Sequence, residues 1–505
     1  MSKETDVVLV YPKVRLDRPI WEDIRIPLGL LAIATPLDIA GYKVKIIDQR
    51  VEKNWKKILL DELEKEPLCV GISCMSGPQI KYALEISRLV RENSTVPIVW
   101  GGVHPSLLPF QTLKNDFVDI VVQGEGEETF YELVRALKDK STLNGIKGIW
   151  YKEDGKLKRN PPRPFIDLNQ QPFLSYHLLD IEKYRNKRYG QLILSFSTSR
   201  GCYRECPYCY NTAFNKKKWR YLTVEESLKR LKKLISAYQP YGILLTDDNF
   251  FVDLNVTKRF LEGIIKQKIN IRFFRTCIHP EDLIKMDNNF LKLLERAGVV
   301  FLVIGVESGS QRILNLLRKN FDVTELIKIN KKLSKFSFRV VFSFMLGLPF
   351  ETKKDISLTV FLIHRLLAEN KKARVSVNIY TPYPGTELFD LSVKNGLIPP
   401  QTLEEWIPFA YHTANNPWLS EERKKMLYML CFCSGCFSPY FLKKFVRVSK
   451  KNYGAKLKYF FILILIRLYQ PIARLRMVNL YYKFPIEIKI ARFFGYYRPL
   501  KIKSG

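Results

Sequence analysis

The chain has 505 residues, with 82 Lys and Arg against 50 Asp and Glu, a net charge of +32. At roughly 150 residues per domain, this length predicts about three domains, and a hydrophobic share of 47% excludes general disorder. Nine cysteines in such a length do not fit a secreted disulfide scaffold; the three at 202, 206 and 209 read as a metal site in a reducing compartment.

The first 150 residues alternate strand and helix. Short apolar strands are predicted at 6–12, 43–48, 68–75, 97–102 and 119–124, with helical patterns at 28–40, 54–66, 79–92 and 127–138. Such alternation predicts a doubly wound parallel sheet with helices on both faces. Sheets of this kind bind ligands outside the carboxyl ends of their strands. Three successive loops there are small and Gly-rich: Ser73-Cys74-Met75-Ser76-Gly77, Gly101-Gly102-Val103-His104-Pro105 and Gly124-Glu125-Gly126-Glu127. Glycine lets the backbone approach a flat or bulky ligand closely; ordinary tight turns between strand and helix would read the same way.

Residues 151–190 are Pro-rich and irregular, and read as a linker wrapping two domains. The alternation resumes at 191–390. Strands are predicted at 192–198, 242–246, 271–277, 301–306, 339–346 and 374–380, with helices notably at 224–238, 255–268, 288–297, 311–318 and 353–369. Six such units make a barrel or part of one, whose function sits at the carboxyl ends of its strands. A basic, aromatic-rich, helical section closes the chain at 391–505.

After the first barrel strand comes Ser199-Arg200-Gly201-Cys202-Tyr203-Arg204-Glu205-Cys206-Pro207-Tyr208-Cys209, with C-x3-C-x2-C spacing. Thiolates suit iron–sulfur clusters and zinc. A structural zinc site wants four ligands, and here one loop carries three. Three thiolates on a four-iron cluster leave one iron open to a substrate.

The segment resembles the radical S-adenosylmethionine superfamily, whose hallmark is this spacing with an aromatic, here Tyr208, before the third Cys. The resemblance implies a 4Fe-4S cluster on Cys202, Cys206 and Cys209. It implies S-adenosylmethionine chelating the open iron through its methionine amine and carboxylate, and reductive cleavage to a 5′-deoxyadenosyl radical. It further places Asp247 and Asp248 near the methionine amine, Gly305, Glu307 and Ser308 along ribose and methionine, and Gly347 beside adenine. Barrel-loop packing is the alternative for each of these. Arg275 would meet a carboxylate or form a structural ion pair.

The N-terminal layout resembles the cobalamin-binding domain that precedes many such barrels, through Pro27-Leu28-Gly29-Leu30 and the loops after 101 and 124. That likeness implies cobalamin against Ser73, Gly101, Gly102, His104, Gly124, Glu125 and Gly126. A hydrogen-bonded loop histidine is the alternative for His104. The subgroup includes methyltransferases acting on unactivated carbon and a porphyrin-ring cyclase. One departure is plain: many cobalamin domains carry Asp-x-His-x-x-Gly, and here the second strand ends Asp48-Gln49-Arg50-Val51-Glu52, which removes His ligation of cobalt by that motif.

Of the other cysteines, Cys431, Cys433 and Cys436 lie in an apolar helical pattern, where Cys behaves as a small hydrophobe; Cys69, Cys74 and Cys277 lie in apolar strands. Residues 437–505 hold 16 Lys and Arg against one acid, Glu487. Cations mixed with aromatic and aliphatic clusters suit an anionic membrane surface, a solvated basic subdomain, or part of the barrel's lid. Without a stacking platform, nucleic acid is not expected. The N-terminus lacks a signal peptide's apolar stretch, and the longest apolar run, 459–466, is far below the about 20 residues a membrane span needs. The expectation is a cytoplasmic enzyme, at most peripheral on the inner membrane face.

The chain therefore reads as a cobalamin-dependent radical enzyme modifying an unactivated carbon, by methyl transfer, on an apolar or large substrate, a small molecule or a lipid-like one, reduced by a flavodoxin- or ferredoxin-type donor. Cyclisation or oxidation without methyl transfer, and a cobalamin-binding or redox-sensing module without turnover, are the rival readings.

Overall fold

In a computed structural model, residues 5–14, 24–185, 190–410, 416–437 and 453–485 are described, without the side chains of 453–463. The N-terminal sheet consists of β1 (Val7–Tyr11), β2 (Val44–Asp48), β3 (Cys69–Ser73), β4 (Ile98–Gly101), β5 (Ile120–Val122), β6 (Ile149–Glu153) and β7 (Lys156–Arg159). Its order is β2-β1-β3-β4-β5-β6-β7. The first five strands are parallel. They are nearly continuous apolar runs because helices cover both faces, and β1 is buried along Val7–Val10. The order reverses at β1 and β3, which opens the ligand crevice of a doubly wound sheet.

All five predicted strands are present. The hairpin β6–β7 was not expected; it begins in a Pro-poor stretch and reaches into the 151–190 segment. Its strands add antiparallel to β5 and turn at Asp154-Gly155, where both φ angles are positive.

The second half contains β8 (Ile193–Phe196), a small antiparallel pair β9 (Ser199–Arg200) and β10 (Arg220–Tyr221), then β11 (Gly242–Leu245), β12 (Phe273–Ile278), β13 (Phe301–Glu307), β14 (Arg339–Leu346) and β15 (Ala373–Ile379). The six long strands run parallel in the order β15-β14-β13-β12-β11-β8. This sequential order with intervening helices is a partial (β/α)6 barrel, as expected. Several of its helices start on side-chain caps: Thr223, Asp253, Asp287, Asp322 and Thr352 each accept a backbone N–H of their own first turn, which satisfies donors a helix leaves open.

The final section packs in separate places. Leu397, Leu403 and Trp406 join the core on one face of the N-terminal sheet, with Trp100 and Leu113. The helix Glu421–Cys436 packs on β15 and on the helix Tyr453–Val478. Cys433 and Cys436 are buried there, and burial pushes the Cys431 thiol up to about 12, as core thiols behave. Residues 438–452 and 486–505 of the basic tail lie outside the described residues, the expected aromatic cluster at 493–497 among them. Among the described residues no helix is long and apolar enough to cross a membrane.

Candidate functional site

The carboxyl ends of the two sheets face one another across a cavity of about 410 Å³. The N-terminal sheet contributes Ser73, Gly101, Gly102, Gly124, Glu125 and Gly126; the barrel contributes Thr198, Arg200, Tyr210 and Asp248. Apolar groups such as Leu9, Ile33, Val99 and Phe130 complete the wall. Six of the seven residues expected to hold a corrin are therefore brought together.

His104 is not among them. Its ring is fully buried, Nδ1 lies 2.9 Å from Ser76 Oγ, and its edge meets Trp406 at 5.6 Å between centroids. Burial pushes its pKa down to about 3. It is the hydrogen-bonded loop histidine, because the residues after Gly102 enter the helix Val103–Leu107 rather than pointing at the crevice.

Glu125 has a second task. It accepts hydrogen bonds from Arg200 Nη1 and Arg220 Nη1, each at 2.7 Å, and Arg200 Nη2 lies 2.7 Å from Glu127 Oε1. Arg200 stands two residues before Cys202. Burial raises the Glu125 pKa, but the hydrogen bond from Arg220 and the charge of Arg200 outweigh it and hold the carboxyl below its usual range. Sequence reading missed this clamp; the only signal was an arginine inside the cysteine motif.

The cysteine loop runs from Gly201 to Tyr210 over the barrel mouth. Cys206 is buried, and Cys202 and Cys209 are partly exposed. Burial raises the Cys202 thiol, opposed by the backbone N–H of Arg204 and aggravated by Cys206. Burial raises Cys209 to about 12, opposed by the backbone N–H of Asn211 and aggravated by Cys206, Asp248 and Cys202. The three sulfurs thus feel one another, while amides stand ready for thiolates. Arg204 anchors the loop, with Nη1 at 2.6 Å from Glu281 and Nη2 at 2.6 Å from Asp282.

The two adjacent carboxylates behave differently. Asp247 is buried and accepts from Thr198 Oγ1 at 2.7 Å and Ser199 Oγ at 2.6 Å; it buttresses the end of β8. Asp248 lines the cavity and accepts from Gly201 N at 3.0 Å and Tyr210 Oη at 2.7 Å. Only Asp248 of the expected pair faces a ligand space.

At the end of β13 the register shifts between Gly305 and Glu307, and Glu307 takes φ +72°. Such a bulge re-aims a side chain at the cost of strain. Glu307 Oε1 accepts from Tyr208 Oη at 3.0 Å, and Lys319 Nζ lies 3.6 Å away. A Cβ on Gly305 would stand 2.7 Å from that carboxylate oxygen, so glycine makes room for it. Ser308 turns away: it is buried against Thr359 and accepts from Ser310 N at 3.1 Å. Gly347, with φ +86°, donates to Glu351 at 2.6 Å, and its carbonyl accepts from Trp418 Nε1 at 3.0 Å. Glu351 is buried, and burial pushes its pKa up to about 8. The C-terminal section thus supports the mouth of the barrel.

A doubly wound sheet and a partial barrel, sharing one cavity beside a three-cysteine loop, define a two-cofactor enzyme architecture. A family model for the B12 binding domain matches residues 23–134, and one for the radical SAM superfamily matches residues 196–363. The chain is 30% identical over 376 residues to an uncharacterised methyltransferase of Pyrococcus horikoshii, covering 74% of this chain and 79% of that protein. It is 28% identical over 305 residues to the anaerobic magnesium-protoporphyrin IX monomethyl ester cyclase of a Synechocystis strain, covering 58% of this chain and 59% of that one. The fold matches that of the cobalamin-dependent S-adenosylmethionine radical enzyme OxsB with aqua-cobalamin bound, at TM-score 0.73 and 20% identity, over 98% of this chain and 75% of that one. The chain belongs to the radical SAM superfamily, in the group of enzymes that carry a B12-binding domain ahead of the barrel.

The residues present fit both groups. Gly29 and Gly124 line the cavity, and a Cβ on either would meet nothing within 4 Å, so the wall is open for a broad, flat ligand. In the place of the missing lower-ligand histidine stands Arg50, paired at 2.6 Å with Asp48, which also accepts from Tyr184 Oη at 2.9 Å. A guanidinium has no lone pair for a metal. Among the described residues no three His, Cys, Asp or Glu side chains converge on a single ion. A four-iron cube takes each thiolate at a separate corner, so its ligands stand further apart than those of one ion.

Proposed function

We propose that this enzyme methylates an unactivated carbon of an apolar or large substrate, with Cys202, Cys206 and Cys209 holding a 4Fe-4S cluster and cobalamin lying against Gly29, Gly101, Gly102, Gly124 and Gly126. The observation that carries the reading is the single cavity lined by those glycine loops and by Arg200, Tyr210 and Asp248 next to the cysteines. Bound there, the cluster supplies the electron that splits S-adenosylmethionine, and the corrinoid supplies a methyl carrier.

The chain's own residues bind and orient. Asp248 offers a carboxylate to an ammonium. Tyr208, held by Glu307 and Lys319, fixes the loop between the second and third cysteines. Arg200 and Arg220, tied to Glu125, keep the two cofactor surfaces in register, which is the positioning this chemistry needs. The cavity's apolar wall keeps water from reactive species. An acidic flavodoxin- or ferredoxin-type protein would dock on the exposed rim of the cysteine loop, where Tyr203, Lys216 and Lys217 stand in solvent. In this reading the enzyme works in the cytoplasm, and its basic C-terminal section touches the inner membrane face.

A second reading, ring formation or another oxidation without methyl transfer, is favoured by the likeness to the cyclase. The test is anaerobic reconstitution with iron, sulfide and hydroxocobalamin, then reduction with S-adenosylmethionine labelled in its methyl group and a membrane lipid extract. A product heavier by one labelled methyl, with 5′-deoxyadenosine, establishes the first reading. Deoxyadenosine with an unlabelled product establishes the second, and none from a cluster-loaded sample defeats both.

A further inference from the structure

The helix Tyr453–Val478 contains five cations and no acid. Its inward side is settled: Ala473 and Met477 are buried, and Leu480 just beyond it, against the helix Glu421–Cys436. Its outward side is unusual for a surface in water. Leu468 is 68% and Leu475 64% exposed, and Ile464, Leu465, Ile472 and Val478 are exposed as well.

At 3.6 residues per turn, these six side chains fall on one arc opposite Ala473 and Met477. Arg467 and Arg474, both exposed, fall along one edge of that arc, and Arg476 along the other. The apolar surface continues onto the neighbouring helix Lys353–Glu369 through exposed Phe361. A shallow cavity of about 250 Å³ between the two helices is lined by Phe361, His364, Arg474 and Val478.

A contiguous exposed apolar stripe marks a contact surface. Which contact is decided by charge. An acid-free helix with two exposed arginines, Arg467 and Arg474, along one flank of its apolar arc matches an anionic headgroup layer, into which leucines sink while those guanidinium groups stay at the phosphates; Arg476, on the other flank, donates to the carbonyls of Lys483 and Phe484. A protein partner would have to be apolar at the centre and acidic along the rim that meets Arg467 and Arg474; a bilayer of anionic lipid is that surface everywhere.

We propose that the outward face of this helix is a docking face for an anionic bilayer, with Leu468, Ile472 and Leu475 entering the headgroup boundary and Arg467 and Arg474 meeting lipid phosphates. The proposal rests on the peripheral contact named above, and is independent of the reaction. It gives that contact an address and an orientation. The helix that bears the face is joined through Glu421–Cys436 to β15, and the residue at the head of that connection, Trp418, holds the Gly347 carbonyl at the barrel mouth.

The test uses the full chain and two kinds of vesicle: phosphatidylcholine alone, and phosphatidylcholine mixed equally with phosphatidylglycerol. Co-sedimentation is expected with the second and not the first, weakening as salt rises. Leu468→Glu and Leu475→Glu, each on an exposed position where folding is unaffected, are expected to lower partitioning roughly tenfold apiece. Arg474→Gln is expected to lower it about fivefold. A wild-type chain that ignores anionic vesicles overturns both the peripheral contact and its address. A wild-type chain that binds while Leu468→Glu and Leu475→Glu bind equally well keeps the contact and overturns the address. A vesicle-free dimer that Leu468→Glu dissociates assigns the face to a second copy of the chain and overturns the membrane proposal.

Discussion

Arg200 and Glu125 meet at 2.7 Å in the wall of the cavity, one from the strand that leads into the cysteine loop, the other from a glycine loop of the N-terminal sheet. Their pairing ties a glycine loop of the N-terminal sheet directly to the strand that leads into the cysteine loop. Arg200→Gln would leave buried Glu127 without its cation. Arg200 is about one third exposed, so the loss of stability is expected at about 1–3 kcal/mol, read as a lower urea midpoint. The informative result is kinetic. Deoxyadenosine formation should persist while product formation falls, because the barrel still works but the surfaces drift; Arg200→Lys should restore part of the coupling. Equal loss of both would assign Arg200 to the cluster rather than to domain register.

Gly29 lines the cavity at the start of the helix Leu28–Ile39, in an ordinary helical setting with open space ahead of it. Gly29→Phe should therefore fold at least as well as the parent, since glycine is a poor helix former, yet fill the space a corrin would occupy. Binding of hydroxocobalamin, followed by its visible spectrum after gel filtration, should be lost while iron content stays the same. Unchanged corrinoid binding would move the cobalamin site elsewhere.

His104 sets an acid limit on stability. Burial depresses its pKa to about 3, so the folded chain keeps this ring neutral while the unfolded chain protonates it near pH 6.5. A histidine with a lowered folded pKa contributes stability that is present above the unfolded value and fades as pH falls towards the folded one. Glu125 and partly buried His364, whose pKa burial lowers to about 4, act in the same direction. From pH 7 to pH 5, His104 alone should cost about 2 kcal/mol. Comparing urea midpoints at the two pH values for wild type and His104→Phe tests this: the variant's acid slope should be shallower by close to one proton. Identical slopes would mean that the ring protonates in the folded state.

The nine cysteines should divide cleanly. Cys202→Ala, Cys206→Ala and Cys209→Ala are each expected to abolish the visible iron–sulfur absorption and 5′-deoxyadenosine formation after reconstitution. Cys433→Ser, deep against Tyr469, should leave iron content unchanged and lower thermal stability only. Iron lost from the Cys433 variant would point to a second cluster in the C-terminal helix. Chelation of iron from the holoenzyme should reproduce the three-cysteine variants without unfolding the sheets, whose cores do not depend on that loop.

Much of the architecture was legible because apolar periodicity is a local property. Eleven parallel strands were expected, and each of them is present among the described residues, since buried parallel strands are short apolar runs wherever they occur. The hairpin β6–β7 was not, because its second strand is Lys156-Leu157-Lys158-Arg159, fully exposed and without apolar alternation. The helix Val323–Leu333 also escaped notice, although Asp322 caps it.

The sequence by itself determined the cysteine loop, the glycine loops and the absence of a histidine at position 50, since each depends on residue identity at fixed spacing. What only the tertiary structure decided is direction. Asp247 and Asp248 are neighbours in sequence, yet one is consumed by Thr198 and Ser199 while the other opens on the cavity. His104 follows a glycine pair, yet a helix start carries it into the core beside Trp406. Glu125 sits in a glycine loop that lines the cavity, yet two arginines from more than 70 residues away claim it. Successive side chains leave a turn on different sides, and which side is solvent, core or ligand space is fixed by segments that approach from far along the chain. Local pattern therefore names the candidates, and packing selects among them.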